Sequence, residues 1–174
     1  SGSYFNTLTL TNVTVPVKAK GVEVSGTVKS YGSDSESVTV TLTKQGETGT
    51  AFTDTLTGAS GSAPYSQNYS FDTVPAGTYT LKVEKKGHAP WTESITVGSD
   101  NIGKDVTIYL IGDVNGDGEI NSDDVTALLR HVSKIELLSS DAAALGDVDN
   151  NSEINSDDVT KLLRFVSKII TNLD

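Results

Sequence analysis

Between Val22 and Ile111 apolar and polar residues alternate. The runs VEVSGTVKS (22–30), SVTVTLTK (37–44), YSQNYSF (65–71), GTYTLKVEKK (77–86), TESITV (92–97) and DVTIYLI (105–111) are short and bounded by Gly, Pro, Asp or Ser. A period of two in residues of this kind predicts half-buried strands. Val38, Val40 and Leu42 then share one face, as do Tyr79, Leu81 and Val83. TVPAG (73–77) and KKGHAP (85–90) read as the turns that flank the Tyr79 strand. Six or seven such runs in about 90 residues predict an antiparallel β-sandwich over residues 1–110. A further strand-like run, FNTLTLTN (5–12), has no evident partner.

After Ile111 the period changes. Val125, Leu128, Val132 and Ile135 are spaced 3, 4 and 3 apart, and Val159, Leu162, Val166 and Ile169 repeat the spacing. That is the face of a helix. The segment GDVNGDGEINSDDVTALLRHVSKI (112–135) recurs as GDVDNNSEINSDDVTKLLRFVSKI (146–169), with 18 of 24 positions identical at an offset of 34. Residues 111–174 therefore read as a small all-α region made of two acidic loop–helix units, with at most a short connecting helix at 141–145. No long linker separates it from the strands, because IYLIGDV runs straight from one into the other.

Charge locates the chemistry. Residues 112–174 hold 5 basic and 13 acidic side chains, a net −8 out of −10 for the whole chain. An acidic balance of this kind argues against a nucleic-acid partner, and its concentration in the repeat points to a cation. There is no cysteine and no run of apolar residues long enough to span a membrane. Ser1-Gly2-Ser3, in a chain without methionine and with no secretion signal at its start, reads as a processed or recombinant beginning of a piece of something larger.

With Asp113 as position 1, oxygen-bearing side chains fall at positions 1, 3, 5, 9 and 12: Asp113, Asn115, Asp117, Asn121 and Asp124. Glu119 at position 7 would offer its backbone carbonyl, Gly118 at position 6 would make the sharp turn, and Ile120 at position 8 would pair with the other loop. This is the donor arrangement of a 12-residue calcium loop, since a hard cation takes 6–8 oxygens. Zinc would need Cys or His, and neither loop has one. The second copy supplies Asp147, Asp149, Asn151, Glu153, Asn155 and Asp158, so two Ca²⁺ are expected. Asn and Asp exchange places between the copies, and each loop keeps three candidate carboxylates. Ser152 replaces glycine at position 6, which predicts a weaker second site.

The duplicated loop–helix, without a leading helix and with Asp at position 12, resembles the dockerin family from Gly112 to about Ile170. The resemblance implies a non-catalytic module that binds a cohesin domain of a scaffold or cell-surface anchoring protein. Its parent would thereby be attached to the extracellular, cell-surface-associated cellulosome, which degrades polysaccharide. The family's partner-reading positions carry over to Ser122, Asp123, Leu129, Arg130 and Lys134, then to Ser156, Asp157, Leu163, Arg164 and Lys168. Those cations also suit helix C-termini, but their identity in both copies, while His131 becomes Phe165, favours recognition. Asp123 and Asp157 stand where the best-known dockerins carry a small hydroxyl, which implies a partner surface of different charge. The sandwich, immunoglobulin-like in its runs, is more loosely similar to transthyretin-like domains and to the X-modules that precede and support some dockerins.

An enzyme is not expected: there is no Cys, no GxSxG and no metal-type His pair. His131 reads as a half-buried packing residue, and His88 lies in a turn with no visible partner. The rival reading of the sandwich is a carbohydrate-binding domain with possible polysaccharide contact. Tyr65, Tyr69 and Phe71 fall on one strand face with Trp91 nearby, although aromatics at this period are ordinarily core.

Overall fold

β-Branched residues at alternate positions keep the chain extended and gather its apolar side chains on one face. The computed structural model describes residues 21–32, 35–47 and 51–173. FNTLTLTN lies outside the described residues. The strands are β1 (Val22–Ser30), β2 (Val38–Lys44), β3 (Ala51–Leu56), β4 (Tyr65–Val74), β5 (Gly77–Lys85), β6 (Trp91–Val97), β7 (Ile102–Gly103) and β8 (Val106–Thr107). One sheet orders β3-β2-β5-β6, all antiparallel. In the other, β1 pairs antiparallel with β4 and parallel with β7 and β8 in succession. The sandwich is therefore mixed, not purely antiparallel as its alternation suggests. Strand direction depends on the return path of the chain, which a period of two does not encode.

Val38, Val40, Leu42, Leu81, Val83 and Tyr79 face inward with no exposure and meet Val24, Val28, Tyr69 and Phe71 of the opposite sheet. The two buried tyrosines each find an acceptor: Tyr79 Oη donates to Pro75 O at 2.9 Å and Tyr69 Oη to Lys104 O at 2.8 Å. Burial, with the Asp105 charge as a smaller contribution, pushes the Tyr69 phenol up to about 12. Lys104 interrupts the edge between β7 and β8. There the Asp105 carboxylate accepts from Thr27 N at 2.8 Å, standing in for a strand neighbour. Gly26 makes room, since a Cβ on it would lie 1.9 Å from Lys104 O.

Of DVTIYLI only Val106–Thr107 is a strand. Ile108 N still donates to Lys29 O at 2.9 Å, but Tyr109 O accepts from Ala89 N at 3.0 Å and Ile111 N donates to Gly87 O at 3.0 Å. The segment leaves one sheet and pairs with the β5–β6 turn of the other, through the His88–Leu110 bridge. His88 is thus partnered: it is 5 % exposed, with Nδ1 at 3.0 Å from Lys86 O and Nε2 at 3.1 Å from Tyr31 O. Burial, opposed by the Lys86 carbonyl, pushes its imidazole pKa down.

The helices are α1 (Ser122–Val132), α2 (Ser140–Gly146) and α3 (Ser156–Val166). Leu128 and Leu162 are fully buried with Val114, Leu145 and Val148, and Ala89 of the sandwich packs on the same cluster. Ile120 and Ile154 join that cluster too, without pairing as strands. Ile135 and Ile169, placed on the helical face by their spacing, instead stand 76 % and 67 % exposed. Each helix ends before them at a lysine in the left-handed region, Lys134 (φ 57) and Lys168 (φ 57). Ile135 N and Ile169 N then bond Arg130 O and Arg164 O, each at 2.9 Å. The reversal breaks the 3.6 period and turns both isoleucines outward.

Gly26→Ala overpacks the β7–β8 edge and is expected to lower stability by about 1–3 kcal/mol. Gly103→Ala, which meets nothing within 4 Å, should shift it by less than about 0.5 kcal/mol. Urea unfolding followed by the single tryptophan, Trp91, separates the two. Equal stabilities would contradict the close approach.

Candidate functional site

Each acidic loop folds around its first aspartate. In loop 1 the Asp113 carboxylate accepts from Gly116 N (2.8 Å) and Asp117 N (3.1 Å) on Oδ1, and from Gly118 N (2.9 Å) on Oδ2. Asn115 Oδ1 accepts from Asp117 N at 2.9 Å. Asp124, in the first turn of α1, closes the loop by accepting from Asn115 N at 3.2 Å and Asn121 N at 2.8 Å. Asn121 caps α1 by accepting from Asp123 N at 2.7 Å. Loop 2 repeats the design. Asp147 accepts from Asn151 N (3.0 Å) and Ser152 N (2.9 Å), Asp158 from Val148 N (3.0 Å) and Asn155 N (2.9 Å), and Asn155 from Asp157 N (2.7 Å). Local turns of Asp and Asn thus hold the carboxylates of Asp113, Asp124, Asp147 and Asp158 against the loop backbone.

The carboxylates of Asp147, Asp149 and Asp158 offer oxygens that all lie within 4.8 Å of one another, a group able to hold a metal ion. The donors are oxygens only, which suits a hard cation and not zinc. Asp113, Asp124 and Asp158 have no exposure. Burial raises the Asp113 and Asp124 pKa values; the Asp117 charge pushes both the same way, and the Asp113 charge adds to the rise at Asp124. The backbone N–H donors of Gly118, Gly116, Asn121 and Asn115 oppose it. Glu119 and Glu153 hold their side chains in solvent while their N–H groups bond the loop, to Asp117 Oδ1 at 2.9 Å and Asn151 Oδ1 at 2.7 Å.

Positions 4 and 6 are left-handed in both loops: Gly116 (φ 75) and Gly118 (φ 92), then Asn150 (φ 59) and Ser152 (φ 68). Asn tolerates this conformation, whereas Ser is strained in it. The turn at position 6 is therefore present in both copies, and only the first has the residue suited to it.

The ten partner-reading positions implied by the family resemblance are all exposed. Ser122, Asp123, Leu129, Arg130 and Lys134 lie on α1 and its end, and Ser156, Asp157, Leu163, Arg164 and Lys168 repeat them on α3. Leu129 and Leu163 are each 50 % exposed. Ile135, Ile169 and Leu137 are exposed beside them and were hidden from sequence reasoning by the helix ends. The two faces are not equivalent. Arg130 Nη1 lies 3.2 Å from Glu136 Oε2, whereas Ile170 holds the matching place and no acidic side chain pairs with Arg164 among the described residues. Lys161, which replaces Ala127, donates to Val148 O at 2.8 Å and Leu173 O at 2.7 Å. His131 is half-buried and accepts from Leu138 N at 3.0 Å, which fixes the chain after α1.

The aromatic face of the sandwich does not form a platform. Tyr69 and Phe71 are 2 % and 5 % exposed in the core. Lys85 Nζ lies 5.6 Å over Tyr65, and Lys104 Nζ 5.6 Å over Trp91.

Residues 111–167 match the family model of the dockerin type I domain. Residues 19–119 match that of the second β-sandwich domain of NOMO1-like subunits of the BOS complex. Among solved structures, a chain of a complex between the ScaC cohesin and the ScaB dockerin of Acetivibrio cellulolyticus is 24 % identical, over 37 % of this chain and 90 % of that one, with a TM-score of 0.35. A type I cohesin–dockerin complex of Clostridium thermocellum is 32 % identical over 36 % of this chain and 93 % of that one, also at 0.35. A type II cohesin–X-dockerin complex of Acetivibrio cellulolyticus is 19 % identical over 83 % of this chain and 94 % of that one, at 0.36. The curated proteins contain no match.

Ser152→Gly tests the strained turn. Left-handed backbone costs a residue with a Cβ about 1–2 kcal/mol, and glycine's freedom in the unfolded chain takes back about 0.4–1 kcal/mol. The substitution should stabilise the helical region by about 0.5–1 kcal/mol. A lower melting temperature of its helical circular dichroism would contradict the assignment of strain to Ser152.

Proposed function

We propose, for a chain that belongs to the dockerin type I family over residues 111–167 and to the NOMO1-like second β-sandwich family over residues 19–119, that it is a non-catalytic adaptor. Its helical module, residues 111–174, binds a cohesin domain in a calcium-dependent manner and anchors the parent protein in an extracellular cellulosome. The sandwich, residues 1–110, supports that module. The observation that carries this reading is the duplicated, outward-facing set of Ser, Asp, Leu, Arg and Lys on α1 and α3 and their ends, each set beside a loop closed on the carboxylates of its first and twelfth positions. A catalytic role has no comparable constellation to rest on, and the burial of Tyr69 and Phe71 weighs against a sugar platform.

Two Ca²⁺ are proposed. Asp113, Asn115, Asp117, Asn121, Asp124 and the Glu119 backbone would hold the first; Asp147, Asp149, Asn151, Asn155, Asp158 and the Glu153 backbone would hold the second. Calcium would supply four positive charges against the net −8 of residues 112–174. The rest is done by the chain. Asn121 and Asp124 join loop 1 to the first turn of α1, and Asn155 and Asp158 do the same for α3. Closing a loop and starting its helix are thus one event, so calcium-binding energy becomes folding energy of the reading faces.

The repeated face lets either helix lead when the module docks. The Arg130–Glu136 pair is exposed and worth about 0–1 kcal/mol. It therefore favours the α3 face by at most about five-fold. Arg164 has no such ion pair to break among the described residues.

Capture on immobilised cohesins should succeed in calcium and fail in chelator, with helical circular dichroism falling in parallel. Arg164→Glu with Lys168→Glu should weaken capture several-fold, Arg130→Glu with Lys134→Glu somewhat less, and the four together should abolish it. Abolition by one pair alone would show that a single orientation is used. Capture undiminished in chelator would remove the calcium dependence.

A further inference from the structure

The two loops differ in what lies against them. Gly118, at position 6 of loop 1, is covered by the ring of Tyr31, the residue that follows β1 of the sandwich. A Cβ on Gly118 would lie 2.4 Å from Tyr31 Cδ1 and 2.7 Å from Cε1. The ring is itself held in place. It stacks on Tyr109 with centroids 5.7 Å apart and planes 21° from parallel. The Tyr31 carbonyl accepts from Lys85 Nζ at 3.2 Å and stands 3.1 Å from His88 Nε2, so its backbone is tied to the β5–β6 turn. On its other side Gly118 donates its N–H to Asp113 Oδ2 at 2.9 Å. A continuous chain of contacts therefore runs from the sandwich through Tyr31 and Gly118 to the first carboxylate of loop 1.

Loop 2 has the same backbone without the cover. Ser152 is exposed and donates its backbone N–H to Asp147 Oδ2 at 2.9 Å, and Asp147 is half-buried where Asp113 is fully buried. Serine at position 152 is compatible with open space. Any side chain at position 118 would collide with the aromatic ring.

We propose that Tyr31 is a positioning residue for the first loop: the sandwich buttresses the position-6 turn of loop 1 and with it the N–H that Asp113 accepts, while loop 2 makes the same turn without cover. The proposal rests on the reading that both loops take calcium. Ordering a loop before its ligand arrives removes that entropy from the binding step, so the supported loop binds more tightly. Coupling is reciprocal, so calcium in loop 1 stabilises the sandwich through the same contact.

The test uses the 174-residue chain with one loop silenced at a time. Asp158→Ala leaves loop 1 to report, and Asp124→Ala leaves loop 2. In calorimetry with calcium chloride, adding Tyr31→Ala should weaken loop 1 about 5- to 20-fold and change loop 2 by less than about two-fold. Tyr31→Phe keeps the ring and should restore loop 1. In the Asp158→Ala background, calcium should raise the melting temperature reported by Trp91, and Tyr31→Ala should remove most of that rise. If Tyr31→Ala does not fold, Tyr31→Leu, which fills part of the space, takes its place with the same loop-selective expectation. Equal weakening of both loops, or of neither, overturns the positioning role. Absence of calcium heat in the unsubstituted chain overturns the reading of the loops themselves, and this inference with it.

Discussion

Carboxylates without solvent govern the helical region. Asp113, Asp124 and Asp158 are fully buried, and a buried carboxylate is tolerated only where donors surround it. The donors here are backbone N–H groups of the loop itself, so burying the acid and folding the loop are the same act. Asp124 ties Asn115 and Asn121 to the first turn of α1, and Asp158 ties Val148 and Asn155 to that of α3. Each acid is thereby a latch between an irregular segment and a regular one. Backbone donors offset part of the charge, yet the pKa values of Asp113 and Asp124 remain raised. A divalent cation is the natural complement to such a set, and its binding energy would be spent on the geometry of the helices.

Local periodicity was legible in the sequence and long-range pairing was not. Alternation placed Val38, Val40, Leu42, Tyr79, Leu81 and Val83 correctly in the core, and the 3-4-3 spacing found Leu128 and Leu162. The same spacing misplaced Ile135 and Ile169, because Lys134 and Lys168 adopt a backbone conformation that is usually glycine's. β3 was missed, since its run AFTDTL shows its pattern only against β2. His88 seemed partnerless because both of its carbonyl contacts, Lys86 and Tyr31, are made by backbone. The acidic loops could be read position by position, since their donor pattern is local. Tyr31 could not, because nothing near it in sequence announces a contact with Gly118.

The path between the two regions leaves little room for a hinge. Ile108 N bonds β1, Ile111 N bonds the β5–β6 turn, and Gly112 N bonds Leu145 O at the end of α2. Three successive anchors within five residues carry the chain from one sheet, past the other, into the helical core. Ala89 adds an apolar contact at the same place. The sandwich and the helices consequently share a continuous backbone and an apolar seam.

The surroundings of each half bear on the pattern of change within the repeat. Positions 129, 130 and 134 match 163, 164 and 168, and all face solvent. The copies differ where the two halves meet different surroundings. Position 131 or 165 is a histidine that accepts from Leu138 N in one copy and a phenylalanine lining the groove against the β5–β6 turn in the other. Position 127 or 161 is an alanine in one copy and, in the other, a lysine that ties the loop carbonyl of Val148 to Leu173. Position 118 or 152 is a glycine under Tyr31 or a serine in solvent. Identity is kept on the outward helix faces, while the helix positions that diverge, 127 or 161 and 131 or 165, make contacts particular to each copy. None of the ten positions expected to read a partner lines the grooves between sandwich and helices. The sandwich therefore meets the helical region on one side and leaves the repeated outward faces of α1 and α3 open on the other.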